Sequence, residues 1–387
     1  MFKALNKTNP EVFPLIIREF AKQFYEHQHY DTMNGWIVLS CDGSKMDLPL
    51  TTELKERFGG ALNQTIVDES KVKKPQASCS VLVDVINHVI LDACVRPCRT
   101  SELPMLYEHL ENCRELLQGK KVMILCDRYY GSAELFFYCK LNGYRLLVRA
   151  KSYMYKDQVR EIESDGNIHL VINKAWMRRL KREDCRSYAE QNLELDIRAV
   201  KSHYEYTFNH YKRRQHPPVI IDSVYLTDLH REEFPKETII DLYHTRRWDN
   251  ETAYFDIKNH LEAERFNSGK YNIIVNEMYG KILCYSICGI IYSRVNEIII
   301  EKQKKDANLK KLYEHIPNMK YICDAIRLEY KFLQCIVLDL ASEDFKTEYL
   351  VFAQQLLFCS KMIIELQLQS RFQRSPESEI QALQLQV

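Results

Sequence analysis

The sequence predicts an α/β protein built on a mixed sheet, with a mostly β insertion and a helical C-terminal region. Three observations carry this. Short apolar runs alternate with amphipathic segments between Trp36 and Val148. Period-two alternation replaces that rhythm between about 168 and 226. From Pro235 onward the apolar spacing is three and four residues, and the whole chain of 387 residues holds only 11 glycines and 11 prolines.

The first predicted element is a helix over about 9–30, where Phe13, Ile16, Ile17, Phe20 and Phe24 recur at helical spacing. A strand follows, Trp36–Cys41, stopped by Asp42-Gly43-Ser44. After a loop-like stretch to about 76, Ala77–Val95 reads as two strands joined at Ile86-Asn87-His88. A helix over 101–118 leads to Gly119 and a buried strand, Val122–Cys126, which runs into Asp127. Ser132–Leu141 is a helix and Tyr144–Val148 a further strand. Antiparallel strands followed by alternating strand and helix give the element order of an RNase-H-like mixed sheet. The insertion contributes Ile168–Ile172, Leu193–Val200, Tyr204–Phe208 and Val219–Leu226 as strands. A long helix then runs from Pro235 to about 263, a second from about 275 to 302, and the rest is helical in pattern before a loose polar tail. The expected segments are therefore 1–34, an N-terminal helix; 35–150, the first part of a core; 151–235, the β-rich insertion; 236–302, the second part of the core; and 303–387, the C-terminal region.

No run of 18 apolar residues is present and Met1–Lys7 lacks an apolar signal core, so no membrane partner and a cytoplasmic location are expected. A net charge of +1 neither announces nor excludes a nucleic-acid partner, because local clustering sets the field at a groove. The 13 cysteines form no C-x-x-C pair and no zinc spacing with histidine, and are expected as buried reduced thiols. No Ser-His-Asp arrangement and no phosphate-binding G-x-x-x-x-G-K-S/T loop is recognisable.

Asp42 and Asp127 each follow the last apolar residue of a predicted strand, where ligands gather in sheets with parallel neighbours. Turn-forming aspartates are the plain alternative. A third acid stands on the helix after the insertion. On a wheel of about 100° per residue, Arg247 lies near −40° from Glu251, Tyr243 near −80° and Lys258 near −20°. A solvated face with an i,i+4 Arg–Glu pair is one reading. An acid at a metal, flanked by phosphate-holding cations, accounts better for a tyrosine among charges, and Trp248 is expected to pack this helix on the sheet. Lys174, Arg178 and Arg179 surround Trp176 in a stretch, Leu170–Arg182, free of acids, and Lys212-Arg213-Arg214 forms a second basic cluster. Phosphates are the natural partners of such cations, and an extruded base could stack on Trp176.

Asp42-Gly43-Ser44, Asp127-Arg128-Tyr129-Tyr130-Gly131-Ser132, the Tyr243…Arg247-Trp248-x-x-Glu251-(x6)-Lys258 run and Asn259–Ser268 together resemble the DDE transposases of bacterial insertion sequences, in the subgroup named for its Y-R-E-K signature. Three residues separate Tyr243 from Arg247 where the family pattern has two. The resemblance covers about residues 1–300. It implies an RNase-H-like core, with Asp42, Asp127 and Glu251 as catalytic metal ligands for two Mg²⁺ ions that Mn²⁺ replaces. Tyr243, Arg247 and Lys258 would contact transposon-end DNA, and Trp176 stands where relatives use an insertion tryptophan. The implied partners are double-stranded terminal-repeat and target DNA, with a homodimer in the DNA complex. The implied activity is metal-dependent cleavage at the ends and strand transfer into a target. A related nuclease without strand transfer, or a decayed transposase that only binds DNA, are the alternatives.

Overall fold

The apolar strand runs pair into one eight-stranded sheet in the computed structural model, which describes residues 2–60, 74–206, 219–305 and 317–328. The strands are β1 (Ile37–Asp47), β2 (Gln76–Asp84), β3 (Val89–Pro97), β4 (Val122–Cys126), β5 (Arg145–Arg149), β6 (Asp165–Val171), β7 (Glu194–Tyr206) and β8 (Val219–Thr227). Their order is β3-β2-β1-β4-β5-β8-β7-β6. β1 runs antiparallel to β2 and parallel to β4, and β4 is parallel to β5. β8 joins antiparallel to β5, and β7 and β6 continue antiparallel beyond it. The eight strands thus make a mixed sheet in a mixed α/β architecture.

Two strand expectations change. Asp42-Gly43-Ser44 does not end β1: Asp42 pairs with Val81, Gly43 with Ser80 and Ser44 with Cys79. An Asp-Gly pair is a local turn signal, and the partner strand β2 overrides it. The parallel ladder to β4 does stop there, at Ser40 opposite Leu125. The insertion is also less purely β than its alternation suggests. Its two middle strands are a single long β7, and helices α7 (Lys156–Glu161), α8 (Lys174–Met177) and α9 (Glu183–Gln191) lie between the strands. α7 buries no side chain and α9 buries only Cys185 and Ala189, so neither carries an apolar stripe to read.

The N-terminal helix is two, α1 (Phe2–Lys7) and α2 (Val12–His27). α2 docks by polar contacts: Arg18 reaches Asp92 at 2.7 Å and the Tyr25 hydroxyl donates to Asp84 at 2.7 Å. α3 (Thr52–Phe58), capped by Thr51, occupies part of the expected loop. α4 (Glu102–Asn112) breaks at Cys113 before the short α5 (Arg114–Leu117). α6 (Ala133–Leu141) is capped by Ser132, whose hydroxyl accepts the Leu135 N–H, and is buried nearly all round. α10 (Lys236–Phe255) crosses β1, β4 and β7. The expected α-helix to 263 ends early, because Asp256–His260 is a π-helical turn. α11 (Tyr271–Lys305) and α12 (Met319–Leu328) follow, and most of the expected 303–387 region lies outside the described residues.

Chain contacts divide the molecule into two units. The first comprises the described residues of Met1–Ile86, Ile90–Phe255 and Ala263–Gly280, and holds nearly all of the sheet. The second comprises those of Asn87–Val89, Asp256–Glu262 and Lys281–Val387; within it α12 packs on the π turn and Arg327 pairs with Glu262. Tyr271–Glu301 is long and apolar enough to cross a membrane by length and composition, a test that core helices also meet; Ile274, Met278, Tyr279, Ile282 and Tyr285 along it are buried in the protein. The described cysteines are free thiols, all buried except the half-buried Cys284.

A part-buried ion pair braces the insertion. Arg198 of β7, 5% exposed, grips Asp165 at 2.9 and 2.6 Å and donates to the carbonyls of Leu229 (3.3 Å) and Phe234 (2.7 Å). It thereby ties two insertion strands to the segment that enters α10.

Candidate active site

Asp42 sits on β1 just past the point where its parallel neighbour ends, and Asp127 follows the last residue of that neighbour. Asp127 is set by an Asx turn, its Oδ1 accepting the Tyr129 N–H at 2.6 Å. The Asp42 carboxylate accepts the Gly43 N–H at 2.8 Å. Burial pushes the Asp42 pKa up to about 7 against that bond; the charges of Glu102 and Asp127 push the same way and Arg247 opposes them. The two aspartates thus stand close enough to feel each other's charge.

Glu102 is a third acid here, and no local sequence signal reveals it. It opens α4 and lies over Gly43, where a Cβ would come within 2.8 Å of its Oε1. Burial raises its pKa and the Asp127 charge adds to that, while Lys45 opposes it. Ser101-Glu102 reads in sequence only as a helix start; the glycine that makes room is 59 positions away, on β1.

Glu251 stands on α10, the helix that packs on β1 and β4. Its carboxylate pairs with Arg247 at 2.7 Å, one helical turn back. The Arg247 guanidinium lies 5.9 Å from the Tyr243 ring centre and 4.5 Å from that of Trp248. Tyr243 is 5% exposed and packs at 4.7 Å against the ring of Tyr225 on β8. The spacing of four between Tyr243 and Arg247 therefore places the ring beneath the guanidinium. Trp248, expected to pack on the sheet, is instead 54% exposed; the buried face of α10 is Ile239, Leu242, Tyr243, Asn250, Ala253 and Tyr254. Arg246, on another face, pairs with Asp249 at 3.3 Å.

Polar contacts fix this helix against β1. Asn250 donates to Ser40 Oγ at 3.3 Å. The Tyr254 hydroxyl lies 2.9 Å from the Asp42 carbonyl and 3.0 Å from that of Cys79, donating between them. Tyr254→Phe should destabilise the fold by about 1–3 kcal/mol, since it removes a buried donor shared by two carbonyls; urea unfolding checks this, and an unchanged midpoint would show that the bond anchors nothing.

Behind Asp42 lies a Ser-His-Asp chain that the sequence does not reveal. His109 lies 2.8 Å from Asp92 and 3.0 Å from Ser80 Oγ, and Ser80 donates to the Asp42 carbonyl at 3.2 Å. All three residues are at most 1% exposed, so the serine is closed to substrate and the chain acts as a brace. Burial alone would raise the Asp92 carboxyl, but His109, Asn112 and Arg18 hold it below the usual range.

The remaining predicted residues lie elsewhere. Lys258 is in the π turn, within the second unit, so the α-helical wheel does not set its position. Lys174 and Trp176 are on the short α8, whose first N–H groups are capped by Asn173. Trp176 is half-buried, 6.1 Å from Tyr155 and 5.2 Å from the Arg179 guanidinium, while Lys174 and Arg179 are exposed and Arg178 is on the same short segment. Lys212-Arg213-Arg214 lies outside the described residues.

Acceptor-only carboxylates that repel one another suit a hard divalent cation, whose charge relieves the repulsion. Among the described residues no three acidic, imidazole or thiol side chains converge at ligand spacing, and Glu251 is held by Arg247.

Asp42, Asp127 and Glu102 thus gather where the parallel ladder of the central strands β1 and β4 ends, beside the helix that carries the Arg247–Glu251 pair. The chain belongs to the transposase DDE domain family, whose pattern it matches over residues 38–287. No curated protein matches it. Among solved structures, the piggyBac transposase synaptic complex with hairpin DNA aligns at 11% identity and a TM-score of 0.42, over 83% of this chain and 57% of that one.

Proposed function

We propose that the protein is a DNA transposase of the Y-R-E-K subgroup, cutting at the ends of its element and joining them to target DNA. The observation that carries this reading is the placement of Asp42 and Asp127 side by side where the parallel ladder of β1 and β4 ends, in a chain of the DDE family. The strand order β3-β2-β1-β4-β5 supports an RNase-H-like core, with β8-β7-β6 added to it. Asp42, Asp127 and Glu251 would hold two Mg²⁺ ions, or Mn²⁺ in their place; when bound, such ions activate the attacking oxygen and stabilise the leaving one.

The chain's own residues do the rest. Asn250 and Tyr254 fix α10, the helix that carries Glu251, on β1. Arg247 exchanges Glu251 for a DNA phosphate, steadied by Tyr243 below and Trp248 beside it. Lys258, Lys174, Arg178 and Arg179 hold further phosphates of a terminal-repeat or target duplex, and Trp176 offers a face for an unpaired base. Two copies of the chain acting together would pair the two ends.

A labelled duplex carrying the DNA that flanks the coding sequence tests this in Mg²⁺. Joined product supports the reading, cutting alone indicates a nuclease, and neither product points to a chain that only binds. Arg247→Ala is expected to weaken duplex binding and lower the slope of log affinity against log salt by about 0.9. An unchanged slope would mean that Arg247 serves Glu251 alone.

A further inference from the structure

A second basic feature, separate from Lys174–Arg179, opens next to the acids. It is a cleft of about 340 Å³ lined by six cations, Arg128, Arg149, Lys151, Lys156, Arg160 and Lys201. The one acid in its lining is Asp222, which is paired with His203 at 2.6 Å. Lys201 is tethered by donating to the Ile162 carbonyl, and Arg160 lies 3.8 Å from Asp157, outside the lining. The cleft therefore carries a large excess of positive charge in a chain whose net charge is only +1. Such local concentration marks a binding site for a polyanion.

Two of the cleft's arginines border the acidic site. Arg128 directly follows Asp127. Arg149 acts on the Tyr243 hydroxyl along with Arg247 and Asp127, and on His244 along with Arg247. A strand leaving the acids would meet these two arginines first.

At the mouth stands Tyr129, 65% exposed, with the Arg128 guanidinium 5.5 Å and the Lys151 amino group 5.7 Å from its ring centre. Tyr153, on the same segment as Lys151, is 72% exposed. A duplex keeps its bases stacked on each other and presents phosphates, so an exposed ring beside the cations offers it nothing. A single strand presents both. Cations tracking the backbone, with aromatic faces for the bases, are the means by which proteins hold single strands. The volume suits a nucleotide-sized group.

We propose that this cleft binds single-stranded DNA running away from the scissile phosphate, with the lining cations on its phosphates and Tyr129 stacked on a base. The proposal rests on the nucleic-acid reading of the acidic site and names what lies beside it. It is tested by fluorescence anisotropy in EDTA, with a labelled oligothymidine of about 12 nucleotides, within the span of such single-strand sites, and with a duplex of mixed sequence, across a salt series. The proteins are wild type, Tyr129→Ala and the double variant Lys156→Ala/Arg160→Ala, each checked for an unchanged melting temperature. Tyr129→Ala is expected to lower single-strand affinity roughly tenfold. The double variant should lower the single-strand salt slope by about 1.4, or about 0.7 for each lost phosphate. Duplex affinity should be unaltered in both.

Equal losses on single strand and duplex would overturn the proposal in favour of a general phosphate surface. No loss on the single strand would overturn it outright. Because EDTA prevents cutting, a chain that fails to cleave in Mg²⁺ still reports on the cleft, and a chain that cleaves with unaltered single-strand binding in the variants sinks the cleft alone.

Discussion

Asp127→Asn is expected to bind duplex DNA and leave it uncut. The change removes one charge and almost no volume from a carboxylate that follows β4 and acts on Asp42. A divalent ion contributes several kcal/mol of charge stabilisation at phosphorus. At about 1.36 kcal/mol per factor of ten, losing a ligand should lower cutting by about 10³-fold. Asp42→Asn and Glu251→Gln should do the same. Stability should move the other way at the strand edge. With Asp127 neutral, Asp42 loses a neighbour that opposes its ionisation, so the melting temperature of Asp127→Asn should be equal to wild type or higher. A gel assay on end-labelled duplex in Mg²⁺, run beside a thermal melt, checks both halves. Cutting near the wild-type rate would remove Asp127 from the site.

Arg198→Met should cost the fold about 1–3 kcal/mol, the range for leaving buried acceptors without their donor, because the part-buried Asp165 keeps a second arginine. Asp165 would keep only the exposed Arg231, at 3.1 Å, and the carbonyls of Leu229 and Phe234 would lose their donor. Urea unfolding is the measurement. A loss under about 1 kcal/mol would class the pair with surface bridges. The Arg198 hydrogen bonds, opposed by desolvation and aided by Arg231, hold the Asp165 carboxyl below the usual carboxylate range. Its contribution is therefore present above the unfolded value of about 4 and is lost as pH falls below it. In Arg198→Met the acid side of the stability profile should flatten.

Much of the core is legible in the sequence because its signals are local. Val122–Cys126 is apolar throughout and ends at Asp127, and Ser132 caps the helix whose first turn follows it. Both features are written in consecutive residues. The Arg247–Glu251 pair is legible for the same reason, since i,i+4 neighbours meet on any helix. What escapes depends on partners far along the chain. Asp42-Gly43-Ser44 carries a turn signal, yet β2 supplies a ladder that keeps it extended. Glu102 gains its place only because Gly43 leaves room for it. Ser80, His109 and Asp92 lie on β2, α4 and β3, and only the fold makes them a chain. The size of Trp248 suggests packing on the sheet, but its position on α10 is away from the residues that pack. The helical period fails at Lys258 because Asp256 begins a π turn.

Catalysis by three carboxylates requires that Glu251 join Asp42 and Asp127 around a shared ion, although it is bound to Arg247 in the structure. Calorimetric titration of Mn²⁺ into the full chain with bound duplex decides this directly. The expected result is two ions in the wild type, with Asp42→Asn, Asp127→Asn and Glu251→Gln each losing at least one of them. Mn²⁺ binding by Glu251→Gln that matches the wild type in number and affinity would contradict the three-carboxylate site, leaving Glu251 as the partner of Arg247 and nothing more.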